Sequence, residues 1–135
     1  MKFKSILVFV ICIGILSVGC ANVGTTNYTH NDSQKHQTEL QEIEICKASI
    51  ATIKNQNIAI ISGEMSQGIP YAFYNHPSDG TFLRYKCKVE DGTVLWAMEN
   101  GRWKYEDYIS YEIKNNIITV YDGPSNRKKS FPFNP

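Results

Sequence analysis

RYKCKVEDGTVLWA, from Arg84 to Ala97, decides how the 135-residue chain is read. Asp91-Gly92 is a favoured two-residue hairpin dipeptide, and it sets a register between the runs on either side. Glu90 falls opposite Thr93, Val89 opposite Val94, Cys87 opposite Trp96 and Tyr85 opposite Met98. The last three pairs are apolar with apolar, so they define an inner face. Arg84, Lys86 and Lys88 alternate onto the outer face, where Arg84 meets Glu99 in a favourable cross-strand pair. Turn chemistry and side-chain alternation agree, so this stretch predicts an antiparallel hairpin with one buried side.

Working outward, Ile109 to Lys114 and Ile117 to Tyr121 flank Asn115-Asn116 and predict a second hairpin. Its register sets Ile113 against Ile118 and Tyr111 against Val120. A short last strand around Ser130 to Phe133 would be confined to an edge by Pro132. Upstream, Ile58 to Ser62 and Ile69 to Tyr74 read as strands joined by a loop containing Gly63 and Gly68, and NHPSDG, Asn75 to Gly80, reads as a turn. Before them the apolar period changes. Leu40, Ile43, Cys46, Ile50 and Ile53 recur every three or four residues, one stripe of a helix over 38–54. Thr38 with Gln41 fits a capping box, and Glu39, Glu42 and Glu44 early with Lys54 late suit the helix dipole. The predicted fold class is α+β: one N-terminal helix on a mostly antiparallel meander sheet of about five to six strands.

The N-terminus reads as an address. Lys2 and Lys4 precede an uncharged apolar run from Ser5 to Gly19, shorter than the ~20 apolar residues that a bilayer core needs. Leu16-Ser17-Val18-Gly19-Cys20 resembles the lipobox of bacterial prolipoproteins, in which the cysteine carries fatty acyl chains such as palmitate and becomes the first mature residue. Ser17 departs from the family, which usually places Leu there. Ser17-Val18-Gly19 equally offers ordinary signal cleavage and secretion. The resemblance implies a signal peptide over 1–19, lipidation at Cys20, and membrane attachment in the cell envelope. Ala21-Asn22 in place of an Asp after the cysteine implies the periplasmic face of the outer membrane if the cell is Gram-negative. Residues 20–37 are polar and read as a tether reaching about 20–25 Å, ahead of one domain over 38–135.

Cysteine parity supports lipidation. Cys12 leaves with the signal, and acylation consumes Cys20, so that Cys46 and Cys87 remain as an even pair. Cys46 lies on the buried helical stripe and Cys87 on the inner face of the central strand. In an exported protein they predict a helix-to-sheet disulfide; two buried free thiols are the alternative. Neither cysteine stands in a C-x-x-C or beside a histidine, so no metal or cofactor is expected. ICKASIA, RYKCKVEDGTVLWA and NGRWK together are similar to a group of small exported bacterial proteins of unassigned function, which implies the same fold and staple but no activity.

Without Lys2 and Lys4, twelve basic residues face thirteen acidic ones, a net charge of −1 that argues against nucleic acid as a partner. His30 and His36 stand isolated in the polar segment. His76 with Asp79 could orient a general base but needs a nucleophile or metal to serve. Glu106 and Asp107 are adjacent acids that would point apart on a strand, unlike carboxylates paired across a cleft. The unusual feature is GRWKYEDY: Arg102, Trp103, Tyr105 and Tyr108 are candidate binding residues, since large aromatics beside an arginine are typical interface anchors. Capping one end of the core is the competing reading. The expected function is therefore a lipid-anchored envelope binding or accessory protein without catalytic activity, engaging a protein partner. The alternatives are a glycan- or cell-wall-binding module that uses these aromatics, and a small hydrolase that uses His76 and Asp79.

Overall fold

The computed structural model describes residues 28–134. The expected signal peptide, the lipidation site Cys20 and the first part of the expected tether lie outside them.

Chain order is helix α1 (Tyr28–Ile53), a 3-10 turn (Ile58–Ile60), then β1 (Ser62–Ser66), β2 (Ile69–Asn75), β3 (Phe82–Glu90), β4 (Thr93–Met98), β5 (Ile109–Lys114), β6 (Ile117–Asp122) and β7 (Arg127–Pro132). The strands form one antiparallel sheet in sequence order, a seven-stranded meander rather than one of five to six. β1, SGEMS, stands in place of the strand expected over Ile58 to Ser62, and it lacks the apolar alternation that marks a half-buried strand. Ile58 to Ile60 form the 3-10 turn instead of a strand, with the Asn57 side chain accepting from the Ala59 amide at 3.0 Å.

The register set by Asp91-Gly92 is the register observed, from Glu90↔Thr93 to Tyr85↔Met98, and Ile113↔Ile118 and Tyr111↔Val120 pair as expected. Met98, on the inner parity, is nevertheless 52% exposed, because the pair with Tyr85 lies at the end of the ladder. Pro132 closes the edge strand β7. Between β4 and β5 the ladder has a single paired position, Thr93↔Ser110, and the chain from Glu99 to Tyr108 departs from the sheet there.

The helix differs most from expectation. It begins at Tyr28 rather than Thr38, so Tyr28 to Gln37 are helical where composition reads as a tether. Thr38 is mid-helix and does not cap: its hydroxyl donates to the Gln34 carbonyl at 3.0 Å. At 26 residues the helix is about 39 Å long. Only its C-terminal part is enclosed. From Ile45 to Thr52 every residue except Lys47 is buried, whereas Leu40 is 41% exposed. A flat sheet would bury one stripe; this sheet curls, and β1, β2, β3, β5, β6 and β7 all pack on α1. Small residues, Ala48, Ser49, Ala51 and Thr52, permit approach from several sides. The buried hydroxyls of Ser49 and Thr52 donate to the Ile45 and Ala48 carbonyls, each at 2.8 Å, so no polar group is stranded.

Cys46 and Cys87 are bonded, with Cα atoms 5.7 Å apart, and both are buried. The bond joins the enclosed part of α1 to the middle of β3. At the other side of the sheet, Arg127 Nη1 donates to the last helical carbonyls, Thr52 at 2.8 Å and Ile53 at 3.2 Å. Its guanidinium lies 4.0 Å from buried Asp122. Gly63 sits where helix and β1 meet. A Cβ there would come within 2.5 Å of Ile43 Cγ2 and 2.9 Å of Lys47 Cδ.

Two stability outcomes follow from this packing. Replacing both Cys46 and Cys87 by Ala removes a crosslink across 41 residues and should cost about 4 kcal/mol in urea unfolding, from lost loop closure in the unfolded chain. Gly63→Ala should cost about 1–3 kcal/mol by overpacking against α1, read by the same titration.

Candidate functional site

The segment from Glu99 to Tyr108 leaves the sheet but is not loose. Gly101 donates to the Met98 carbonyl at 2.8 Å, and the Lys104 amide to the Trp96 carbonyl at 2.9 Å. Trp96, buried on β4, donates from its indole nitrogen to Asp107 Oδ2 at 3.0 Å. The Gly123 amide closes the far end by donating to the Tyr108 carbonyl at 2.8 Å. Buried Trp96 thus holds its covering segment by both its backbone and its ring. Asp107 is committed to that ring while Glu106 is exposed, so the two adjacent acids stand in different surroundings.

Within this segment the four candidate residues divide. Trp103 is half-buried, and the Lys86 ammonium stands 5.0 Å from its ring centroid. One face of the indole is therefore occupied by a cation from β3. Arg102 is exposed. Tyr105 is 73% and Tyr108 63% exposed. A shallow concavity of about 260 Å³ is lined by Arg102 through Asp107. Within GRWKYEDY, Trp103 packs on the fold, whereas the two tyrosines stand largely in solvent.

The outer face of β3 is more occupied than its sequence implies. Arg84 is gripped by Glu64 of β1 and by Glu99, with its guanidinium 4.1 Å over the Tyr71 ring. Lys88 pairs with Glu90 at 2.9 Å. Arg84 thus meets two carboxylates and Lys88 one, while Lys86 stands over the Trp103 ring.

At the C-terminal end of α1 lies a cluster that sequence reasoning missed. The Lys54 ammonium sits 4.3 Å from the Trp96 ring centroid and 5.1 Å from that of Tyr85. Tyr85 in turn stacks on Tyr74, with centroids 6.2 Å apart. Burial pushes the Lys54 amine below its ordinary range, opposed by the nearby Asp107 and reinforced by Lys104, while Asp122 also opposes it. Burial likewise raises the Tyr85 phenol far above its usual value, helped by Tyr74. The signal in the sequence was weak, since a lysine at a helix end is already explained by the dipole.

His76 lies in the turn before β3. Ser78 Oγ stands 2.8 Å from His76 Nδ1, and Asp79 Oδ1 stands 3.6 Å from the same nitrogen. A nucleophilic triad places serine and aspartate on opposite ring nitrogens. Here both address one, and Asp79 also accepts from the Thr81 amide at 3.0 Å, which holds its carboxyl below the usual range. The arrangement braces a turn. Among the described residues, no group of three or more His, Cys, Asp or Glu side chains is placed to hold a metal ion.

No family model matches the chain, and no curated protein or solved structure matches it.

The Lys54 cluster has a pH signature. Its folded-state pKa lies below the ordinary 10.5, so between the two values the unfolded chain holds the extra proton and stability rises with pH. Lys54→Met keeps contact with the rings but removes the titration. Urea unfolding at about pH 7 and about pH 9.5 should show a smaller rise, or a larger fall, in the variant than in the parent. Equal pH dependence would overturn the assignment.

Proposed function

We propose that the chain is a lipid-anchored binding protein of the cell envelope, without catalysis of its own, that engages a protein partner through the Arg102–Tyr108 segment. What supports this reading is the pairing of exposure with fixation. Tyr105 and Tyr108 stand largely in solvent on a segment tied to Trp96 and Gly123. Large rings on a fixed backbone lose little entropy on docking, which suits interface anchors. The concavity beside them offers Arg102 and Glu106 as a polar rim. A glycan platform would lose one face of Trp103 to Lys86 and would rely on Tyr105 and Tyr108 for stacking. Attachment through Cys20 rests on the lipobox resemblance of LSVGC. Two acyl chains or more would make it stable.

The experiment combines location and partner. Intact mass of the membrane-fraction protein should correspond to a chain beginning at Cys20 plus acyl chains, and Cys20→Ser should shift the protein to the soluble fraction. Crosslinking from the Arg102–Tyr108 segment in envelope membranes should identify the partner. The double variant Tyr105→Ala/Tyr108→Ala should keep its thermal midpoint and lose at least about tenfold in affinity for that partner. Unchanged affinity, or binding to cell-wall polysaccharide in a pelleting assay, would overturn the reading.

A further inference from the structure

The sheet has two edges, and they are not alike. On β7 the edge carries Arg127, Lys128 and Lys129 and ends in Pro132, the charges and proline that discourage strand addition. On β1 it carries Ser62, Gly63, Glu64, Met65 and Ser66, with no proline and a single charge.

Which groups β1 presents follows from its turn. Gln67 and Gly68 both lie at positive φ, 52° and 75°, the signature of a two-residue type I′ hairpin. Ser66↔Ile69 closes that turn and exchanges hydrogen bonds. By antiparallel alternation Glu64 and Ser62 also bond to β2, whereas Gly63 and Met65 direct their N–H and C=O groups away from it. The same alternation puts the missing N–H of Pro70, opposite Met65, on the β3 side, where the β2–β3 ladder begins only at Tyr71. Among the described residues no hydrogen bond from outside the ladder falls to Gly63 or Met65.

From this edge we infer that β1 is a docking site for an extended segment of a partner protein, added as an eighth strand, with a basic residue opposite Glu64 and apolar residues on either side of it. This rests on the proposal that the partner is a protein. The chemistry of the segment is set by two observations. Glu64 faces outward, and together with Glu99 it shares a single guanidinium, Arg84, leaving one carboxylate in excess for a lysine or arginine on the incoming strand. Gly63 faces inward onto Ile43, and Leu40, one turn earlier on that helix side, is 41% exposed. Inward residues of the added strand would lie along this flank. A second copy paired with Glu64 on the two-fold axis would set carboxylate against carboxylate.

The test uses the full chain in detergent and an acetylated, amidated Lys-Val-Lys-Val-Lys peptide, with Glu-Val-Glu-Val-Glu as the reversed control. Amide hydrogen exchange at Gly63 and Met65 should slow by about tenfold or more at saturating lysine peptide, and far less with the glutamate peptide. Met65→Pro deletes an outward N–H without breaking the β1–β2 ladder, so it should abolish protection while leaving the circular dichroism unchanged. Glu64→Lys provides a second variant, and it should invert the preference between the peptides. The inference is overturned if protection falls on β7 or on Arg102–Tyr108, or if neither peptide protects the edge. It is also overturned if Met65→Pro dissolves a self-associated form that the peptide does not displace, which would make the occupant a second copy. A partner still captured through Tyr105 and Tyr108 in any of these cases would leave the envelope-binding proposal standing.

Discussion

The covalent bond between Cys46 and Cys87 is the constraint around which the structure is arranged. It fixes the enclosed turns of α1 against the centre of β3, and the meander then curls so that strands on both sides reach the same helix. Enclosure demands small side chains on several faces, and Ala48, Ser49, Ala51 and Thr52 supply them. A chain of this size buries a modest fraction of its surface, and a crosslink spanning 41 residues offsets a core that is correspondingly small.

Much of this was legible in the residues. The Asp91-Gly92 turn and the alternation around it give the β3–β4 register pair by pair, and the same logic holds for β5–β6. The staple could be read because each cysteine sits in phase with its own apolar pattern. Three features were hidden for physical reasons. β1 is held by Gly63 against the helix and by Glu64 on Arg84, neither of which leaves an alternating pattern. The early helical turns are polar because they project past the sheet, and a polar helix has the composition of a linker. Leu40 belongs to the apolar stripe by spacing, yet it stands 41% exposed.

The candidate site shows a similar division. GRWKYEDY is conspicuous for its aromatics, yet sequence cannot tell a ring that covers the core from one left in water. The difference lies in partners outside the segment: Lys86 stands above Trp103, whereas Tyr105 and Tyr108 remain largely exposed. Lys54 escaped notice for the opposite reason. Its place at the end of the helix was explained before its neighbours, Trp96 and Tyr85, could be known. Asp107 likewise reads as a loop acid until the indole it accepts from is seen.

The single rung between β4 and β5 divides the sheet into unequal leaves. The leaf of β1 to β4 is sewn to the helix by sulfur; the leaf of β5 to β7 is latched to the helix end by Arg127. The helix is thus an axle shared by two flaps, one riveted by a covalent bond and one held by packing and the hook of Arg127. Thermal breathing should concentrate along this seam, swinging the hooked flap first and carrying the tyrosine-bearing segment, which bridges the seam, with it.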